Sequence, residues 1–75
     1  MSKLPVLRPR EVISTLKRAG FYEDHRKGSH VAMRNDDKHC SAVVAVHPGT
    51  VPKGTLKSII RQAKMTVEEF CSFSK

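Results

Sequence analysis

Apolar residues recur along the chain with two different periods, and the switches between them divide it into elements. In the first segment they fall at Val12, Ile13, Leu16 and Ala19, the single stripe of a helix. Arg10, Glu11, Ser14, Lys17 and Arg18 fill its polar side. Pro9 suits the first helical position, where its missing N–H costs nothing. Gly20 suits the stop, because it takes the left-handed conformation without strain. The spacing therefore predicts a helix over 9–19, with Phe21 placed for an apolar contact back onto Leu16 in a Schellman motif.

A period of two follows. Residues 21–26 read as a first, heavily charged strand, and Lys27-Gly28-Ser29 as a turn. In the second strand, 30–34, Val31 and Met33 point one way while His30, Ala32 and Arg34 point the other. Asn35-Asp36-Asp37-Lys38 is a turn of residues that hydrogen-bond their own backbone. The third strand, 41–47, is apolar on both faces, with Ala42, Val44 and Val46 on one and Val43 and Ala45 on the other. Such a strand is expected inside a sheet or beneath a partner. After a loop from His47 to Thr50, the helical period returns at Leu56, Ile59, Ile60 and Ala63, predicting a helix over 52–63. Thr66 and Glu69 have capping-box spacing, and Met65 and Phe70 have hydrophobic-staple spacing, which starts a third, short helix. The order helix, three strands, helix, short helix predicts an α+β fold. Its simplest packing sets both long helices on one face of an antiparallel three-stranded sheet and leaves the other face open.

Composition narrows the function classes. At 75 residues the chain is one domain, 1–75, and too small for a deep cofactor cavity or a dinucleotide-binding fold. Fourteen Lys and Arg against seven Asp and Glu give +7, with a pI near 9.9. That excess points to a phosphate backbone or an acidic protein, against the alternative of a merely well-solvated surface. The longest apolar run, Ala42 to Val46, is far short of the roughly 20 residues that span a bilayer. Met1 to Arg8 lacks the apolar stretch of a signal peptide. Two distant cysteines, Cys40 and Cys71, read as free thiols of a cytoplasmic protein. A metal site from Cys40, Cys71, His39 and His47 has no paired-ligand spacing to support it.

The chain has no P-loop, no G-x-G-x-x-G, no H-E-x-x-H and no G-x-S-x-G. Asp36 and Asp37 sit in a turn, Glu68 and Glu69 start a helix, and neither cysteine has an identifiable base. Histidine is the remaining candidate. His30 follows Gly28-Ser29 at the start of a strand, on the face expected to be open, with Lys27 and Arg34 on the same hairpin. An imidazole beside cations can exchange a proton near neutral pH while the cations hold a phosphate. That set of groups is able to cleave RNA without a metal, the histidine moving a proton as a ribose 2′-OH attacks phosphorus. Spacing alone favours the plainer reading, a surface residue or a passive phosphate contact. His25 reads as surface, His47 ends the apolar strand within reach of such a site, and His39 has no argument in its favour. Lys53, Lys57, Arg61 and Lys64 space along the second helix, either tracking a nucleic-acid backbone or forming a solvated face. Only Phe21, Tyr22, Phe70 and Phe73 are aromatic, and packing claims Phe21 and Phe70, so a base-stacking platform has little support.

Four segments in order carry a family resemblance. They are VISTLKRAGF from Val12 to Phe21, Lys27-Gly28-Ser29-His30, Val44-Ala45-Val46-His47, and KGTLKSIIRQA from Lys53 to Ala63. Together they resemble the HicA family of mRNA interferase toxins, from about Arg10 to Phe70. The resemblance implies a double-stranded-RNA-binding-domain-like α-β-β-β-α fold. It implies ribosome-independent cleavage of mRNA, no metal or organic cofactor, and a catalytic histidine in the G-S-H signature, which falls on His30. The implied partner is a HicB antitoxin, often acidic, which binds the toxin and blocks the active-site region. DNA enters only indirectly, through the antitoxin in an operon-repressing complex. A second catalytic residue is not fixed by the resemblance, and Lys27, Arg34 and His47 are the candidates. The sequence departs from the family where a Gly often follows Q-A: Lys64 stands there.

Two other functions fit the same shape. A non-catalytic double-stranded-RNA-binding module carries a lysine cluster at the start of its last helix, where this chain has only Lys53, with Lys57 a turn later, a poor match. A protein-binding adaptor would dock through the apolar third strand.

Overall fold

The computed structural model describes residues 4–74, so Met1 to Lys3 of the leading stretch lie outside the described residues. Helix α1 (Pro9–Arg18) is followed by strands β1 (Tyr22–Lys27), β2 (His30–Asn35) and β3 (Cys40–Ala45), then α2 (Lys53–Gln62) and α3 (Val67–Phe73). The strands form one antiparallel sheet in the order β1-β2-β3. This is the expected α+β architecture, and its order is consistent with the double-stranded-RNA-binding-domain-like topology.

The local signals act as their chemistry predicts. Pro9 opens α1, and the Glu11 carboxylate accepts the Arg8 backbone N–H at 2.8 Å. At the other end Gly20 takes φ +99°, the Phe21 N–H donates to the Leu16 carbonyl at 2.9 Å, and the Gly20 N–H donates to Lys17 at 3.1 Å. Those two bonds make the Schellman motif, and they turn Phe21 into the core. Helix α3 starts on the Thr66–Glu69 capping box, each residue's side chain accepting the other's backbone N–H.

One apolar layer holds the fold together. Val12, Ile13 and Leu16 of α1, Leu56, Ile59 and Ile60 of α2, and Phe70 of α3 pack with Val31, Met33, Ala42 and Val44 of the sheet. All four sheet residues belong to the same pleat face, so the helices share that face and the other is open. Among the described residues, no helix is long and apolar enough to cross a membrane.

The third strand differs from the expectation. It is shorter, ending at Ala45, and it is an edge strand. Its second apolar face is not covered: Val43 is 46% exposed on the open side. Strand β1 has all six residues exposed, since the helical layer covers β2 and β3 and stops short of it. Its charges are thereby accounted for.

Candidate active site

The site is built on the turn between β1 and β2. Lys27 and His30 are directly opposite each other, joined through Gly28 and Ser29. Gly28 has φ +60°, as the first loop position of a two-residue Gly-x hairpin demands. A Cβ there would meet no atom within 4 Å, so backbone conformation, not space, favours glycine. The Ser29 carbonyl accepts the Val46 N–H at 2.6 Å. That bond braces the turn against the chain leaving β3 and carries the ladder one residue past the strand.

Which side chains share the open face follows from the pairing, because residues opposite each other project to the same side. His30 lies between Lys27 and Ala45, Ala32 between His25 and Val43, and Arg34 between Tyr22 and Ser41. The register of β1 shifts between Glu23 and His25, leaving Asp24 as an extra residue. Strict alternation from Tyr22 would turn Lys27 to the helical side. The bulge reverses the parity and brings Lys27 onto the face of His30.

The open face has two ends. At one are the exposed His30 and Lys27. At the other, Arg34 Nε donates to Asp36 Oδ1 at 2.8 Å and the Tyr22 hydroxyl donates to Asp36 Oδ2 at 3.0 Å. The Arg34 bond, then the Tyr22 bond, hold the Asp36 carboxyl below its ordinary range, and the same contacts raise Tyr22 and Arg34. Four residues along a strand separate His30 from Arg34, about 13 Å. Arg34 therefore shares the face of His30 without sharing its immediate neighbourhood. Alternation predicts the common face, while the ion pair to Asp36 assigns Arg34 to the far end.

His47 lies beyond β3, in the loop, with Nδ1 3.0 Å from the Pro48 carbonyl. It follows Val46, so it is beside the braced turn. It also lines a cleft of about 440 Å³ with Arg8, Arg10, Glu11 and Gly49. Neither His30 nor Lys27 lines that cleft. Lys53 and Lys57 stand exposed on α2, in the helical layer on the other side of the sheet. Among the described residues, no three His, Cys, Asp or Glu side chains gather as metal ligands, and Cys40 and Cys71 form no disulfide. Sequence reasoning missed Tyr22 as a surface aromatic of this face. Its only signal was that packing had not claimed it.

Residues 9–65 match the family model of the HicA toxin of bacterial toxin-antitoxin systems. The chain belongs to the HicA family. The matched span runs from the start of α1 through the cap of α2 and encloses Lys27, Gly28, Ser29, His30, Arg34, His47, Lys53 and Lys57. HicA toxins are in general ribonucleases, and membership implies an antitoxin partner. No curated protein sequence matches the chain.

Proposed function

We propose that this HicA toxin is a ribosome-independent endoribonuclease that cleaves mRNA without a metal, with His30 as general acid/base, and that a HicB antitoxin neutralises it. The observation that carries the reading is the pairing of an exposed His30 with Lys27 on an open sheet face, at a turn fixed by Gly28. The ribose 2′-OH attacks the adjacent phosphorus, and the bond from phosphorus to the 5′ oxygen breaks. His30 takes the proton from the nucleophile or supplies one to the leaving oxygen. Lys27 holds a non-bridging oxygen and offsets the charge that develops on it. His47, beside the same turn, is the candidate for the complementary proton transfer. Gly28 and Ser29 contribute through the shape of the turn.

The test is His30→Ala. The side chain is exposed and outside the core, so the substitution is expected to change stability by no more than about 0.5 kcal/mol. Purified His30→Ala should be folded by circular dichroism and still bind the antitoxin, yet leave RNA intact and cause no growth arrest. Continued cutting by the variant overturns the assignment. Wild-type protein that binds RNA but leaves it whole, with no antitoxin present, makes the chain a binding module instead.

A further inference from the structure

We infer that Tyr22, Arg34 and Asp36 form a base-stacking subsite for single-stranded RNA, at the far end of the sheet face that carries His30. The inference rests on the ribonuclease reading and names a second place where the substrate is held.

The ring of Tyr22 is held on the surface from both ends. It is 43% exposed, and its backbone is fixed in β1 opposite Arg34. Its hydroxyl is tethered to Asp36 Oδ2 at 3.0 Å. A side chain already held at both ends loses little freedom when a ligand packs on it, and that cost otherwise subtracts from affinity. The single carboxylate of Asp36 serves Tyr22 with one oxygen and Arg34 with the other. Its charge is matched by the guanidinium, so it does not repel a phosphate strand. The guanidinium keeps its Nη donors, beyond the Nε bond to Asp36, for a phosphate oxygen.

Between the two ends the face carries one small residue and two larger, exposed ones. Ala32 and Val43 lie there with His25, which is held 3.1 Å from Asp24. From His30 to Arg34 is about 13 Å, up to about four nucleotides at the roughly 3.4 Å rise of a stacked strand and fewer when it is drawn out. A strand cleaved beside His30 would thus bring a neighbouring base over Tyr22. Stacking on a protein ring requires an unstacked base, so the substrate at this position is single-stranded. Continuity favours RNA as occupant: Tyr22 shares its face with Lys27 and His30, where the ribonuclease reading puts the scissile phosphate, and the Asp36 carboxylate is paired with Arg34.

The experiment uses the full chain and a labelled single-stranded oligoribonucleotide, with an abasic residue placed at each position in turn. Tyr22→Ala should raise KM about tenfold, in the range of a lost aromatic stack, and leave kcat within about threefold. Tyr22→Phe keeps the ring and should recover most of the loss. One abasic position should weaken wild-type binding and have no further effect in Tyr22→Ala, the mark of a direct contact. Binding is measured in parallel in the His30→Ala background, where RNA stays whole. Unchanged KM and affinity in Tyr22→Ala, or no abasic position coupled to Tyr22, overturns the subsite. So does a Tyr22→Ala variant that cleaves normally but resists inhibition by the antitoxin, because the ring then serves the protein partner. If wild-type protein fails to cleave RNA, the ribonuclease reading fails, and the abasic coupling measured by binding still decides the subsite.

Discussion

Asp36 spends both carboxylate oxygens on neighbours, and its titration reports both. The Arg34 guanidinium and the Tyr22 hydroxyl stabilise the ionised form, so Asp36 titrates below the usual aspartate value. A depressed folded value means the contribution to stability is present above the unfolded value, about 3.9, and is lost as pH falls through the folded one. Tyr22 is shifted the other way: its hydrogen bond to Asp36 favours the neutral phenol. That contribution is complete below the usual tyrosine value, about 10, and disappears as pH rises through the folded value. Tyr22 is the single tyrosine and the chain has no tryptophan, so phenolate absorbance reads it alone. The expected midpoint lies above the usual value in the wild type and returns towards it in Asp36→Asn, and equal midpoints in the two proteins would contradict the bond. Of this cluster, alternation along β2 identified the face of Arg34, and the turn propensity of Asp36 was evident. The link between them through Tyr22 was not, because a contact between residues 14 apart depends on the register of two strands. Local pattern carries no register across a bulge.

The C-terminus of α2 shows what one residue does to an element. Lys64 takes φ +56°, its N–H donates to Arg61 at 3.0 Å, and the Met65 N–H donates to the Ile60 carbonyl at 3.1 Å. This is the same Schellman arrangement that Gly20 makes for α1, closed here by a residue with a Cβ. The surroundings offset the strain. Lys38 Nζ donates to the carbonyls of Ala63 and Lys64, at 3.5 and 3.2 Å, and Lys64 Nζ reaches the Lys38 carbonyl at 3.4 Å. A cation at the end of a helix is favourable, and the pair ties the β2–β3 turn to α2. Lys64→Gly removes the left-handed penalty and gives up one exposed hydrogen bond. The expected gain is about 0.5–1 kcal/mol, read as a higher urea midpoint with an unchanged slope. The sequence was informative at this scale wherever a cap or stripe is local: Gly20, Thr66 with Glu69, and the stripe of α2 all stand where spacing put them. The place of β3 at the edge was not legible. An apolar run reports the tendency to be buried, and Val43 remains on the surface regardless.

At the scale of the molecule the sheet separates two chemistries. One side is the apolar layer under the helices, and the other carries Lys27, His30, His25, Tyr22 and Arg34. The sign of the net charge was apparent from composition, but its division between the two sides depends on which pleat face the helices cover. The division predicts unequal roles for lysines that composition treats alike. Lys27→Ala should weaken RNA binding and reduce the slope of log affinity against log salt by about 0.7, the value for one phosphate contact on a single strand. Lys57→Ala, in the helical layer, should leave the slope unchanged. Equal slopes for the two variants would place the phosphate track elsewhere.

The edge of β3 bears on association of the chain with itself. Gln62 reaches from α2 and accepts the Val43 N–H through Oε1 at 3.4 Å. That amide points away from β2, where an incoming strand would bind. An unguarded, apolar strand edge invites copies of a chain to stack on one another. By occupying one rung of that ladder, Gln62 makes the first mispairing step costlier, so resistance to self-association is expected to fall in Gln62→Ala, a change far from the Lys27–His30 turn.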